Sequence, residues 1–209
     1  MYVNTLARIL SVVFHPLLMP TWLVLVLAGT FPWALQPARP DNLQAYVLMV
    51  AGLTFILPAI NLVFLKGLGY ISSFTLPERE QRIRPFLIIL LLYSCCTFLF
   101  HYKLGMGLSD NFFRLLLILN MLVLVAWLLT CYIKLSIHSM AAAAIPVILA
   151  VLSRFTEEGQ LFPVMLISIV LAGVVMSARL QLQAHTLQEV LLGAVAGAVT
   201  AGFTGILLF

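Results

Sequence analysis

The chain has 209 residues, 63% hydrophobic and only 9% charged, with a formal net charge of +4 and a mean hydropathy of +1.14. Soluble domains run to about half apolar and a quarter charged, so this composition excludes an ordinary soluble enzyme. It describes one integral membrane domain over residues 1–209, with nothing left over for a soluble module.

A spanning helix needs about 20 mostly apolar residues, fewer where flanking groups snorkel. The first apolar run, residues 6–29, exceeds a signal-peptide core and lacks a small-x-small cleavage site, so it reads as a retained span. His15-Pro16 and Pro20 predict that it is kinked or starts late. A Pro-rich loop over 31–41 leads to a second span at 44–65. The polar stretch 66–84 follows, ending in the run Glu78-Arg79-Glu80-Gln81-Arg82-Ile83-Arg84-Pro85. Pro85 suits the first turn of a third span at 84–101. A fourth span covers 112–133, and Lys134-Leu135-Ser136-Ile137-His138 precedes a short apolar run at 139–153. The last two spans are 161–178 and 187–208. The fold expected is therefore all-α, a polytopic transmembrane helix bundle of six to seven spans, with one interfacial or re-entrant helix if six. Cys95, Cys96 and Cys131 lie inside apolar runs and read as packing residues rather than a disulfide framework.

Ionisable groups inside or at the edge of a span are costly and functional by default. Three such clusters occur: Arg79/Arg82/Arg84, Lys134/Ser136/His138, and Arg179/His185/Glu189. Two crossings separate the first from the second and two more separate the second from the third, so all three emerge on one membrane face. That face also holds Arg8 and Lys66; the other holds Arg39, Lys103, Arg114 and Arg154. Counting every cation places the site in the cytoplasm by the positive-inside rule. Setting aside those that serve chemistry reverses the answer.

His185 and Glu189, four apart on a helix, can touch. A carboxylate on one ring nitrogen fixes the tautomer and leaves the other nitrogen as nucleophile or base. Arg179, six before His185, needs a bend to come alongside; its planar fork suits a phosphoryl group. Ser136 fits an N-cap whose following backbone N–H groups face an anion, and His138 can protonate a leaving oxygen. Arg79, Arg82, Arg84 and Lys134 can supply further phosphate contacts. His15 can approach the site from the first span but reads as a satisfied bundle histidine. His101, with Tyr102 and Lys103, reads as an interfacial anchor on the far side. The surrounding cations argue against a metal held by His138, His185 and Glu189.

In this order the clusters resemble the type-2 phosphatidic acid phosphatase superfamily, whose pattern is K-x6-R-P, then P-S-G-H, then S-R-x5-H-x3-D. Arg84-Pro85 matches the end of the first element, Ser136 and His138 match the second, and Arg179, His185 and Glu189 match the third, with Glu for Asp and Ala178 for Ser. The resemblance runs from about Arg79 onward. It implies a lipid-phosphate phosphatase that uses no metal or other cofactor, in which His185 attacks phosphorus, Glu189 orients it and His138 protonates the departing oxygen. Arg84, Arg179 and Ser136 would hold the phosphoryl oxygens. The substrate would be a lipid phosphate kept in the bilayer, such as undecaprenyl pyrophosphate, phosphatidylglycerophosphate or phosphatidate, with no nucleic-acid partner. The implied location is a bacterial inner membrane, site facing the periplasm. Two departures matter: Pro77 replaces the motif lysine, and Ile137 replaces a glycine at a place where φ > 0 would exclude a β-branched residue. They leave open a second reading, a protein on the same scaffold that binds or transports lipid phosphate without hydrolysing it.

Overall fold

A computed structural model describes residues 2–74, 76, 78–156 and 159–209. Those residues are helical throughout, joined by short turns, with no strand among them. In chain order the helices are α1 (Tyr2–Val13), α2 (Met19–Thr30), α3 (Leu43–Ala51), α4 (Leu57–Gly67), α5 (Glu80–Leu104), α6 (Asn111–Tyr132), α7 (Ile137–Leu152), α8 (Phe162–Gln181) and α9 (Leu187–Leu208). A π turn, Gly52–Ile56, joins α3 and α4 into one helix of 25 residues. Six helices are long and apolar enough to cross a bilayer: Leu43–Gly67, α5, α6, α7 with its 3₁₀ extension to Phe155, α8 and α9. The chain is an all-α integral membrane protein.

The first predicted span is two helices rather than one. α1 and α2 have 12 residues each, about 18 Å apiece, which is short of the roughly 30 Å hydrocarbon core. Pro16 has no N–H to give the Val12 carbonyl, and the chain turns there. The His15 N–H bonds to Val12 O at 3.2 Å, and the Trp22 indole N–H reaches back to Val13 O at 3.0 Å. The pair nevertheless runs the length of the bundle. The Gln181 side-chain amide donates to Asn4 at one end, Phe14 packs part-way down against Ala142, Ala172 and Val175, and Asn111 donates to Trp33 O at the other end.

α5 begins four residues before the apolar run that marked it, so Pro85 lies inside the helix rather than in its first turn. A hydropathy window starts at the first apolar stretch, whereas the helix here starts on the charged residues that reach toward neighbouring turns.

The principal core lies in the half of the bundle away from the polar clusters. It joins Leu23, Leu27 and Leu35 to Phe112, Ile118, Leu149 and Leu152. At the other end packing depends on glycine. α7 and α9 make the most extensive contact in the fold, because Gly193 lies against the Ser136 carbonyl and Gly197 against the Met140 carbonyl. A Cβ at either position would overlap backbone, so only glycine allows this approach. Large apolar side chains on α9, including Leu191, Val195, Val199 and Phe203, face outward as a lipid-exposed surface requires.

Candidate functional site

The third cluster is built by the turn between α8 and α9. α8 ends in a Schellman arrangement: the Ala184 N–H bonds to Arg179 O at 3.2 Å and the Gln183 N–H to Leu180 O at 2.9 Å. Gln183 takes the left-handed conformation, φ 52°, usually reserved for glycine at this point. The reversal supplies the bend that R-x5-H required, and α9 then starts in a capping box. Thr186 Oγ1 accepts from the Glu189 N–H, and Glu189 Oε2 accepts from the Thr186 N–H, each at 3.3 Å.

The same Glu189 Oε2 lies 2.6 Å from His185 Nδ1. Its other oxygen is 3.6 Å from Lys134 Nζ. One carboxylate therefore caps a helix, orients an imidazole and pairs with a lysine. With Nδ1–H given to Glu189, the His185 Nε2 lone pair is available. Only 4% of the His185 side chain is exposed. Burial lowers its pKa most, the Glu189 hydrogen bond raises it, and the charges of Arg82 and Arg179 lower it further; the net direction is down. His185 is thus neutral at neutral pH, as a nucleophile requires.

The second cluster docks on the third through backbone. The Ser136 N–H donates to Glu189 O at 3.0 Å. Ser136 is the N-cap of α7, as the sequence indicated: its hydroxyl accepts from the Ser139 N–H at 3.3 Å and from the Ser139 hydroxyl at 2.9 Å. It is fully buried, so its role here is to fix the helix start. Ile137 is the first residue of α7 with helical backbone and is not among the positive-φ residues. The conflict expected from a β-branched residue at this glycine position does not arise, because no left-handed conformation is needed there.

His138, in the first turn of α7, bonds through Nε2 to Ser11 O at 3.2 Å and meets His15 edge-on, ring centroids 5.3 Å apart. It lies within electrostatic range of Arg179, His15 and His185. His15 likewise lies within electrostatic range of Arg179. Arg179 Nε is buried without a hydrogen-bond partner among the described residues, and the guanidinium lies within electrostatic range of three histidines, His15, His138 and His185.

The first cluster divides. Arg82 is buried, donating to Leu76 O at 2.7 Å and Leu135 O at 3.2 Å, and it faces His185 electrostatically. Arg79 caps the end of α6 through Cys131 O and Tyr132 O, at 3.0 and 2.9 Å, and pairs with Glu80. Arg84 is exposed and stacks on Tyr70, 4.8 Å from the ring centroid. Pro77, where the motif lysine would stand, lies outside the described residues. The arginines brought to His185 are therefore Arg82 and Arg179. Sequence matching chose Arg84, but Arg82 and Arg84 are two residues apart on a helix and project about 200° apart. Among the described residues no group of three His, Cys, Asp or Glu side chains has metal-binding geometry.

Beside the histidines opens an apolar cavity of about 140 Å³ between α2, α3, α5, α6 and α7. Pro16, Leu17 and Ile137 line it near the polar cluster, and Val50, Phe112 and Ile148 line it deeper in the bundle. The arrangement combines a neutral, oriented imidazole, two guanidinium groups and a second imidazole, next to an apolar slot. Compared with protein-family models, curated proteins and solved structures, the chain matches none.

Proposed function

We propose that the chain is a lipid-phosphate phosphatase that hydrolyses a phosphomonoester or pyrophosphate headgroup through a phosphohistidine. The observation that carries this reading is the 2.6 Å His185–Glu189 pair, its imidazole buried within electrostatic range of Arg82 and Arg179. His185 Nε2 attacks phosphorus; the N–P bond forms as the P–O bond to the lipid breaks, and His138, carrying a proton taken up from the bound phosphate monoanion, gives it to the departing oxygen. Water then attacks the phosphohistidine, His138 takes a proton from it, and phosphate leaves with His185 regenerated. Arg179 and Arg82 hold the negative charge on the transferring group, which is where most of the catalytic gain in such reactions lies. The apolar cavity suits a lipid tail better than a soluble phosphate ester.

The site faces the periplasm of a bacterial inner membrane in this reading. With Arg79, Arg82, Lys134 and Arg179 set aside as site or capping groups, Arg8, Lys66 and Arg84 remain on that face against Arg39, Lys103, Arg114 and Arg154 on the other, which is the cytoplasmic one in this reading.

A second reading, binding or transport of a lipid phosphate without turnover, draws on two observations. Arg84 is turned away from the cluster, and two hydrogen bonds of Arg82 are already spent on carbonyls. Phosphate release from a prenyl pyrophosphate and from phosphatidate separates the two, measured with chelator on the detergent-purified protein and on His185→Ala. Release that survives chelator and is lost in the variant supports the phosphatase. A folded protein that binds these lipids and releases no phosphate supports the second reading.

A further inference from the structure

The resemblance that suggested a phosphatase leaves the first 78 residues without a role, yet the break between α1 and α2 lies against His138. The hydrogen bonds around the break explain how. In an uninterrupted helix the Ser11 carbonyl would accept from the His15 N–H, and the Val12 carbonyl from the N–H of residue 16. Residue 16 is proline and has none. The His15 N–H moves to Val12 O at 3.2 Å, and the Ser11 carbonyl is released. It is this carbonyl that meets His138 Nε2. A carbonyl can only accept, so Nε2 carries the proton, and neutral His138 has its lone pair on Nδ1. The same turn sets His15 against the His138 ring, and His15 is itself fixed, because its Nδ1 accepts the Leu17 N–H at 3.3 Å.

We propose that the Pro16 break makes the N-terminal helix pair part of the site, with the freed Ser11 carbonyl and His15 holding His138 as its Nε2–H tautomer, so that Nδ1 takes a proton from the bound phosphate monoanion, passes it to the departing oxygen and takes the next from water. Ser11 then does for His138 what Glu189 does for His185, with a neutral acceptor in place of a carboxylate. That difference fits the two roles. A carboxylate would favour the protonated form of the second imidazole and make it a poorer proton donor, whereas a carbonyl orients it at smaller cost to its acidity. The other charged or titratable groups facing His138 are Arg179 on α8 and His185 in the α8–α9 turn. Both His15 and Ser11 act through His138 and are positioning groups. The inference rests on His138 being the proton donor of the proposed reaction.

The test is nitrogen NMR of the full chain labelled at its four histidines, with the His138 signal assigned by its loss in His138→Gln. The wild-type signal is expected to report a protonated Nε2 and a bare Nδ1. Pro16→Ala restores the missing N–H and lets α1 continue. It is expected to mix the His138 tautomers and lower kcat for phosphate release by about tenfold or more, with KM little changed. His15→Ala, which leaves the break intact, loosens the ring and is expected to produce a smaller change of the same kind. A wild-type His138 protonated at Nδ1, or tautomers unmoved by both variants, overturns the proposal. Because the tautomer is read without turnover, a protein that releases no phosphate defeats the enzyme reading without obscuring this result.

Discussion

Single side chains decide the chemistry here, and Glu189 carries the most. It accepts from His185 and from the Thr186 N–H and neutralises Lys134. Glu189→Gln keeps a cap acceptor but loses the charge that steadies the positive charge developing on the His185 ring as it attacks. We expect kcat to fall by about 10²- to 10⁴-fold with the helix intact, while Glu189→Asp retains part of the rate; kinetics alongside circular dichroism check both. The pH profile has a definite sign. Burial and the two arginines lower the His185 pKa, so protonation silences the nucleophile only at a pH below the ordinary histidine value. The acid limb of kcat/KM, which reports the ligand-free protein, should accordingly lie below the ordinary histidine value of about 6.5, and an acid limb of kcat/KM above that value contradicts the environment described. At Gln183 the left-handed backbone costs a side-chain-bearing residue about 1–2 kcal/mol, part of which glycine would return after its own entropy cost. Gln183→Gly should raise unfolding stability by about 0.5 kcal/mol, read by denaturant titration in detergent.

Among the elements, the α7–α9 pair sets the precision of the site, since Ser136 bonds to Glu189 across it and Gly193 sits under that contact. Gly193→Ala and Gly197→Ala should each cost at least about 2 kcal/mol by forcing the helices apart, and Gly193→Ala should also slow turnover. Gly202→Ala, where the nearest atom to a new Cβ is a Val147 methyl at 3.4 Å, should be nearly neutral. Thermal unfolding of the three variants gives the comparison. The third cluster could be read from sequence because ionisable residues are so rare in this chain that three near one junction stand out. The choice between Arg82 and Arg84 could not, since it depends on helical phase, and the helix starts on polar residues that hydropathy assigns to a loop. The turn at Gln183 carries no compositional signal, as glutamine is not a residue that announces φ > 0. His15 was legible as a histidine before a proline; that the proline frees a carbonyl for His138 required the hydrogen-bond pattern.

For the whole molecule, the broken first helix changes the count of passages. α1 begins beside Gln181 at the site end, and Phe209 ends beside Phe155 at the far end. The described chain therefore runs the length of the bundle an odd number of times, and Asn4 and Phe209 lie at opposite ends of it. Cysteines introduced at Gln183 and at Lys103, in a background lacking the native three, should react with a membrane-impermeant maleimide from opposite sides. In the orientation proposed above, Gln183→Cys is expected to label from outside in intact cells, and labelling of Lys103→Cys instead would reverse that orientation. The fold also separates duties along its axis: the large apolar core fills the far half, and the site half is held by caps, carbonyls and glycine contacts. Such a division lets the polar end carry buried cations while the other end supplies most of the stability.

The π turn at Gly52–Ile56 has a consequence of its own. A π turn holds one residue more than the α-helical ladder calls for, which shifts the phase of everything after it by about 100° relative to an unbroken helix. Tyr93 donates to Thr54 O at 3.0 Å within this turn, where a buried phenol meets a carbonyl of the irregular ladder. Removing one residue between Gly52 and Ile56 would therefore give a more regular helix and a worse protein. Leu65, now buried against Ile71 and Leu76, would swing toward lipid, and the loop that presents the Leu76 carbonyl to Arg82 would lose its footing. One surplus residue deep in the bilayer thus sets the rotational register of a loop at the site.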